Sequence, residues 1–307
     1  MYHFDNASFP FCTACSRQKW RCIAIGIGII GAGKVGTTMG KYFVTHGEEV
    51  SGFYSRTVNS AKEAAKFCNT KYFSELDSLI EVSDTLFITV TDGAIKEVWD
   101  CIAAKDVKGK SVCHFSGSLS SDIFSNAEQA GVSVCSLHPI YAFSNKFTAY
   151  QNLTEAIFTV EGDEQAVADI YRMFEKLPNR LVLIHTEAKT RYHAAVSMAS
   201  NHVIGLLSMA VKMLEEAGIK STAAYEMLTP LVKNNVEAAL KYGCEQALTG
   251  PIERNDLGTV RHHLEVLSEE QKAVYDAIGT ELVRISEKKH TERNYRQMKE
   301  LLRKESE

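Results

Sequence analysis

Three glycines stand where a backbone could approach a phosphate group closely. The segment Gly31-Ala32-Gly33-Lys34-Val35-Gly36 has the spacing G-x-G-x-x-G and directly follows the apolar run Ile23–Ile30. In such a loop the first glycine permits the tight turn, the second admits a pyrophosphate, and the third lets the next helix pack against the strand. The N–H groups at the start of that helix attract an anion. The spacing therefore predicts a dinucleotide-binding loop.

The end of the next strand-like run distinguishes between two dinucleotides. Val50–Tyr54 is followed by Ser55, Arg56 and Thr57, with no acidic residue to bond the ribose 2′-hydroxyl of NAD. An arginine can bind a 2′-phosphate with two hydrogen bonds, and the two hydroxyls can donate to it as well. The segment therefore favours NADP(H). The alternative is that Arg56 is an ordinary surface charge.

Polar residues follow three later strand-like runs, where ligands of open α/β sheets bind. They are Val90, Thr91 and Asp92, then Ser116, Gly117 and Ser118, and finally His138. We expect the first group to lie near the cofactor and the second near a substrate, with His138 as a candidate proton donor. Ordinary turn chemistry is the alternative for Asp92 and Gly117.

A later helical stretch carries Lys189, His193, Ser197 and Asn201 at four-residue spacing, which places them on one stripe. Small apolar residues flank the stripe, so we expect an enclosed helix whose stripe faces a cleft, although a solvated face is the alternative. His193 is then the first candidate for a proton donor. Lys189 could stabilise a developing oxyanion, and Asn201 completes the predicted catalytic set.

The segment Gly250–Asp256 joins two helical regions and carries opposite charges. Arg254 could bind a substrate carboxylate. The alternative is a capped connection in which Asp256 starts the next helix, and both interpretations can hold together.

The pattern that must position these residues alternates β-rich runs with helical periods and then becomes wholly helical. It predicts an α/β fold, a doubly wound, mostly parallel Rossmann sheet followed by an all-helical C-terminal domain. We expect an N-terminal extension over 1–21, a dinucleotide-binding domain over 22–185 and a helical domain over 186–307. The expected strands are Ile23–Ile30, Val50–Tyr54, Lys71–Phe73, Thr85–Val90, Ser111–Phe115, Val132–Leu137, Ala156–Val160 and Leu181–Ile184.

Composition narrows the class of partner. The chain has 307 residues and a formal net charge of −4, which gives no basic excess for nucleic acid. The longest apolar stretch, Ile23–Ile30, is far below the ~20 residues that span a bilayer, so no membrane helix is expected. The scattered cysteines indicate reduced thiols and a cytoplasmic protein. Cys12 and Cys15 form a C-x-x-C pair, but no second pair follows at zinc-site spacing, and we predict no metal.

Several stretches of the chain resemble the 6-phosphogluconate dehydrogenase-like superfamily. Within it, the sequence is most similar to bacterial Rossmann-like proteins whose C-terminal half is a domain of unknown function and which are often described as NADP oxidoreductases. The matching stretches are the glycine loop, His114 to Ser121, Leu137-His138-Pro139, Tyr192 to Asn201, and Gly250-Pro251-Ile252 with Arg254, Asp256, Thr259 and Val260. The resemblance implies a Rossmann domain, a helical second domain and a homodimer. It is silent on the substrate.

These observations together predict an NADP-dependent oxidoreductase that transfers a hydride between NADPH and a C=O or C=N group of a small, carboxylated substrate. One difference from related enzymes favours a second hypothesis. The related β-hydroxyacid dehydrogenases carry an asparagine one turn after a catalytic lysine, whereas His193 stands one turn after Lys189. The alternative is therefore a non-catalytic sensor that binds NADP(H).

Overall fold

The computed structural model describes residues 26–303. The predicted extension over 1–21, with Cys12 and Cys15, lies outside these residues. The chain forms two compact units that meet between Ser197 and Met198. We call the first the sheet unit and the second the helical unit. The predicted domain boundary, between 185 and 186, lies earlier, just after the last strand; in the structure the sheet unit also includes the helix Lys189–Ser197, whose Lys189 is buried against the sheet.

The sheet unit is built on eight strands within the described residues. They are β1 (Ile27–Ile30), β2 (Val50–Tyr54), β3 (Tyr72–Phe73), β4 (Thr85–Ile88), β5 (Ser111–His114), β6 (Ser133–Pro139), β7 (Phe158–Gly162) and β8 (Leu181–Leu183). Their order is β3-β2-β1-β4-β5-β6-β7-β8, and all neighbours are parallel except β6 and β7. The predicted doubly wound, mostly parallel sheet is confirmed.

Helices cover both faces of this sheet. They are α1 (Lys34–Thr45), α2 (Val58–Cys68), α3 (Leu76–Glu81), α4 (Asp92–Ala103), α5 (Ala127–Ala130), α6 (Glu164–Phe174) and α7 (Lys189–Ser197). One apolar cluster includes Met39 and Phe43 of α1, and the other includes Leu79 of α3 and Trp99 of α4. Burial on both faces explains why the central strands are nearly all apolar.

One predicted helix, over Leu119–Ala130, is wrong. The structure has a short 3-10 turn at Ser121–Ile123 and then α5. Glu161 of β7 accepts hydrogen bonds from the backbone N–H and the hydroxyl of Ser121, which hold the start of this segment against the sheet. Asn126 then adopts a left-handed conformation with a φ of 62°, which interrupts a right-handed helix.

The helical unit begins with a π turn at Met198–His202. Its helices are α8 (Val203–Glu216), α9 (Ser221–Tyr242), α10 (Cys244–Ala247), α11 (Leu257–Val266), α12 (Glu269–Lys289) and α13 (Arg296–Leu301). Its core contains Val260, Val283, Tyr295 and Met298. Ser268 and Gln271 form a reciprocal capping box at the start of α12, as their spacing predicts.

The continuous helical stretch Thr186–Glu216 is an exception to the expectation that no helix could span a membrane. It contains 31 residues, and its most apolar 18-residue window has a mean hydropathy of 1.5, so it is long and apolar enough to cross a membrane by length and composition. The uninterrupted apolar runs are short, but no Asp, Glu, Lys or Arg lies between Arg191 and Lys212. Only 6% of that window is buried.

Candidate functional site

The glycine loop has the geometry of a phosphate-binding turn. Gly31 has a φ of 109°, and a Cβ there would lie 2.9 Å from the carbonyl carbon and oxygen of Thr89. A Cβ on Gly36 would collide with the carbonyl oxygen of Gly31. By contrast, no heavy atom lies within 4 Å of the Cβ position of Gly33, which caps the start of α1. The backbone at Gly33 is therefore open to a ligand where the two other glycines are closely packed.

The loop lies at the point where the strand order of the sheet reverses. β1 pairs with β2 on one side and with β4 on the other, and this switch point is where open α/β sheets bind ligands. The Thr89 hydroxyl at the end of β4 donates to the carbonyl oxygen of Gly31 at 2.8 Å. The residues present thus fit a bound dinucleotide.

The connection after β2 fits the extra phosphate of NADP(H). Arg56 and Thr57 are exposed, and Arg56 forms no ion pair with any residue in the range 26–303. Thr57 occupies the N-cap position of α2, its hydroxyl caps no backbone N–H, and the first turn carries no acid. Positive charge and unused donors therefore meet at this helix start.

The predicted polar residues after β4 and β5 bind one another. The hydroxyls of Ser116 and Ser118 both donate to Oδ2 of Asp92 at 2.9 Å. Ser116 Oγ also accepts from the backbone N–H of Leu119 at 3.0 Å. Thr91 lies just before, at the N-cap of α4. These hydrogen bonds show that Asp92 and the two serines fix the conformation of the loop after β5.

His114, at the end of β5, supports the same loop from inside. Its Nδ1 accepts from the backbone N–H of Ser116 at 3.2 Å, so its Nε2 donates to the carbonyl oxygen of Ser120 at 3.1 Å. Burial lowers the pKa of His114 to about 4. The ring is neutral at neutral pH and acts as a fixed structural link.

His138 and His193 meet at Gly117. A Cβ on Gly117 would lie 2.7 Å from Nε2 of His138, 2.9 Å from Nε2 of His193 and 2.5 Å from Cδ2 of His193. The two ring centroids are 5.9 Å apart. Two predicted proton donors, from the end of β6 and from α7, therefore pack together against the Gly117 backbone, which both rings can approach because residue 117 has no side chain.

His138 differs from an ordinary histidine in its surroundings. Its Nδ1 lies 2.8 Å from the hydroxyl oxygen of Tyr192. The Thr159 hydroxyl donates a hydrogen bond to that oxygen at 3.1 Å. Burial, followed by the nearby positive charges of Lys189 and His193, lowers the pKa of His138 to about 4. His138 is therefore neutral at neutral pH.

Lys189 lies inside the sheet unit and is 1% exposed. Its Nζ donates to Ser136 Oγ of β6 at 2.5 Å. Burial lowers the pKa of Lys189, and the negative charge of Glu161 opposes that shift. Its buried ammonium group acts on the neighbouring histidines through its charge.

The expectation of an enclosed helix is wrong for the single chain. Ala194, Ala195, Met198 and Ala199 are all exposed. The small apolar residues indicated burial, but in this chain only the side of α7 that carries Lys189 is buried by the sheet. The π turn at Met198–His202 also breaks the regular i, i+4 spacing, so the predicted stripe does not continue to Asn201.

Asn201 and Arg254 belong to the helical unit, and both are exposed. Asp256 accepts from the backbone N–H of Thr259 at 3.0 Å and from its hydroxyl at 2.7 Å, so it caps α11. The capped connection is confirmed, and Arg254 remains available beside it. Within residues 26–303 no group of three or more His, Cys, Asp or Glu side chains could hold a metal ion.

Sequence reasoning did not identify four of the residues that build this site. They are Ser136, Thr159, Glu161 and Tyr192. Only Tyr192 carried a signal, because it precedes His193 in a stretch that resembles the related proteins. Ser136, Thr159 and Glu161 lie within predicted strands or beside them, where a polar residue has no distinctive pattern.

Replacing Gly117 with alanine should disturb both imidazoles. The new methyl group needs space that the two rings occupy, and overpacking of this kind costs about 1–3 kcal/mol of unfolding free energy. Denaturant unfolding measures the loss, and the NMR signals of the two rings should shift. Gly93→Ala is the control, since a Cβ there meets no heavy atom within 4 Å. Equal stability of the two variants would contradict the packing at Gly117.

Comparisons with known proteins agree with this architecture. Residues 13–139 match the family model of a Rossmann-like domain, and residues 156–282 match that of a domain of unknown function, DUF2520. No curated protein sequence matches the chain.

Similar solved structures cover most of the chain at low identity. A Thermotoga maritima protein is 24% identical, with a TM-score of 0.69 over 86% of this chain and 99% of its own. A Bacteroides fragilis protein provisionally assigned as an NADP oxidoreductase is 21% identical, with a TM-score of 0.61 over 87% and 98%. An Aspergillus terreus reductive aminase, solved with NADPH and ethyl-5-oxohexanoate, is 14% identical, with a TM-score of 0.58 over 86% and 88%. The chain thus combines a Rossmann-like domain with a DUF2520 domain, as the resemblance of its sequence predicted.

Proposed function

We propose that this protein is an NADP-dependent oxidoreductase that reduces a C=O or C=N group of a small, carboxylated substrate. One observation carries the proposal. A dinucleotide loop follows β1, and two histidines converge on Gly117 at the ends of β5 and β6, so cofactor-binding and proton-handling groups lie along the same edge of one sheet. The fold shared with a reductive aminase that binds NADPH supports the same class of reaction.

The residues that hold the cofactor follow from the loop geometry. Gly31 to Gly36 would hold the pyrophosphate, with Gly33 as the point of closest approach. Ser55, Arg56 and Thr57 would bind the 2′-phosphate through charge and hydroxyl groups. Val90, Thr91 and Asp92, after β4, would flank the nicotinamide end. When bound, NADPH supplies the hydride.

The two histidines have separate roles in this proposal. His138 is neutral at neutral pH because burial lowers its pKa to about 4, so it has no imidazolium proton to give. His193 is half-buried, and its ring makes no hydrogen bond to any residue among 26–303. We therefore assign proton delivery to His193. Lys189 contributes the positive charge that keeps a proton off His138.

Two residues of the helical unit support the proposal that the substrate carries a carboxylate. Arg254 is exposed beside a segment that Asp256 holds in place, and a guanidinium binds a carboxylate with two parallel hydrogen bonds. Asn201 offers both a donor and an acceptor.

One experiment distinguishes this enzyme from the alternative, a sensor that binds NADP(H) without turnover. A panel of imines and 2-oxo acids is incubated with NADPH, and an unchanged cofactor absorbance despite tight binding would favour the sensor.

Replacing Arg56 with alanine should weaken NADPH binding about 10- to 100-fold, because a charge-assisted hydrogen bond contributes about 1.5–3 kcal/mol. NADH binding should not change, since NADH has no 2′-phosphate. Titration of both cofactors by calorimetry measures the two affinities. Lys66→Ala, which removes an exposed charge from the other end of α2, is the matched control. Similar NADPH affinities for the Arg56 variant and the control would rule out this phosphate site.

Replacing His193 with alanine should lower kcat by about 10²- to 10⁴-fold on any substrate that the panel identifies, because a general acid is lost. NADPH affinity should persist, since the cofactor residues are untouched. Steady-state kinetics at fixed pH provides the measurement. His262→Ala, at an exposed position of α11, is the control. A His193 variant with most of the wild-type rate would remove the proton-donor assignment.

We further propose that the protein is a homodimer that pairs through its helical unit. α8 and α9 expose large apolar side chains, among them Ile204 (67%), Leu231 (57%) and Leu240 (84%). An apolar surface of this extent is normally covered by a partner in water.

Replacing Leu231 with glutamate should weaken the dimer at least tenfold, because a charge would be buried at the interface. Light scattering coupled to gel filtration, over a dilution series, measures the association. Val82→Glu is the control, since Val82 is 53% exposed on the sheet unit. A monomeric wild-type protein would contradict the proposal, and binding to lipid vesicles in place of self-association would assign the apolar face to a membrane.

A further inference from the structure

We propose that Tyr192 is a positioning residue, which holds His138 as the tautomer with its proton on Nε2 and directs that N–H toward Gly117 and His193. The tautomer follows from hydrogen bonds within the sheet unit. Its consequence for the reaction rests on the proposed function.

Tyr192 and His138 share one hydrogen bond. The Tyr192 hydroxyl oxygen lies 2.8 Å from Nδ1 of His138, and one of the two atoms must donate. The Thr159 hydroxyl donates to the same tyrosine oxygen at 3.1 Å. A phenol that accepts one hydrogen bond from Thr159 has its own proton available for the imidazole. Nδ1 is then the acceptor, and the single ring proton of His138 resides on Nε2.

The direction of the Thr159 hydrogen bond decides the tautomer of His138, because a Thr159 that accepted the Tyr192 proton would leave Nδ1 of His138 as the donor. The Thr159 hydroxyl has a second acceptor within reach, the His138 carbonyl oxygen at 3.5 Å. His138 and Thr159 are opposite each other in the antiparallel β6–β7 pair, and the backbone N–H of Ile140 donates to Ile157 two residues further along. Hydrogen-bonded pairs recur every second residue in such a ladder, so the His138 carbonyl accepts the backbone N–H of Thr159. That carbonyl can still accept from the hydroxyl, but at 3.5 Å it lies at the limit of hydrogen-bond distance, so the Thr159 proton is directed to the Tyr192 oxygen at 3.1 Å.

Burial and the surrounding charges keep both partners in these forms. Burial lowers the pKa of His138 most, the positive charges of Lys189 and His193 lower it further, and the charge of Asp92 opposes the shift. Burial raises the pKa of Tyr192, so the phenol keeps the proton that it donates. Neither partner ionises near neutral pH.

Geometry gives the Nε2–H group a target. Nε2 of His138 and Nε2 of His193 lie 2.7 Å and 2.9 Å from the same point, the position of a Cβ on Gly117. The His138 Nε2–H group therefore lies against the Gly117 backbone beside the ring of His193, and it can donate a hydrogen bond to the oxygen or nitrogen of a group that is reduced next to the two rings. A neutral imidazole does not readily give up its only N–H proton, so His138 polarises the heteroatom and His193 supplies the proton. Each histidine thus has its own role in the reaction.

Nitrogen-15 NMR of the histidine side chains tests the tautomer without any substrate. The protein is labelled on its histidines, and His138→Asn identifies the His138 signals by their loss. We expect an unprotonated Nδ1 and a protonated Nε2 in the wild type at neutral pH. Tyr192→Phe, which removes only the hydroxyl, should shift His138 toward the Nδ1-protonated form. A wild-type protein with its proton on Nδ1, or on both nitrogens, would overturn the proposal, and this reading remains available if the variant does not fold.

The chain offers a matched control for the loss of a tyrosine–histidine hydrogen bond. In the helical unit, the Tyr275 hydroxyl lies 2.9 Å from Nδ1 of His263. Tyr275→Phe should change the His263 signals and leave those of His138 as they are. An equal change at His138 in both variants would mean that the effect is not local, which would also contradict the proposal.

Kinetics separates this proposal from the proposed function. With a substrate from the panel, Tyr192→Phe should lower kcat roughly tenfold and leave the NADPH affinity unchanged, because one orienting hydrogen bond is lost. Thr159→Val should lower kcat less, since Tyr192 remains. Unchanged kcat in Tyr192→Phe would overturn the positioning role. If no substrate is turned over, the proposed function fails, while the NMR result still decides the tautomer.

Discussion

A single buried carboxylate holds the candidate site together. Glu161 is 1% exposed, and it accepts hydrogen bonds from the backbone and hydroxyl of Ser121 and from the hydroxyl of Thr186. Ser121 ends the loop that carries Gly117, and Thr186 begins the turn that leads into α7. One side chain of β7 therefore connects the two segments that bring Gly117 and His193 together. A buried carboxylate without these donors would carry a large desolvation cost, so the loop and the helix are stabilised in one arrangement.

The same carboxylate also influences the charges of the site. Its negative charge favours the ammonium form of Lys189, which burial alone would disfavour. Lys189 in turn disfavours a proton on His138. The chain of effects runs from Glu161 through Lys189 to His138 inside a region of low dielectric, where such interactions are stronger than in water. His138 thus stays neutral at neutral pH.

The loop after β5 shows how structural and chemical roles divide among nearby residues. Asp92, Ser116 and Ser118 satisfy one another, and His114 fixes the backbone of Ser116 from the interior. Their hydrogen bonds leave Gly117 against the two imidazoles. The polar side chains that the sequence offers as candidates for substrate contacts build the loop here, whereas the residue with no side chain lets the two imidazoles approach it.

The sequence by itself determined the strands, the glycine loop and the absence of an acid after β2, because these features depend on residues close together in the chain. Periodicity fixes a strand or helix locally, and G-x-G-x-x-G requires only its own neighbours. The sequence also named His138, Lys189 and His193, but it could not assign their states. The partners that decide those states are distant: Tyr192 is 54 residues from His138, and Ser136 is 53 residues from Lys189. Only the tertiary structure brings Thr159 and Tyr192 to His138 and Glu161 to Ser121, and a protonation state depends on burial and on these neighbours because both alter the free energy of the charged form.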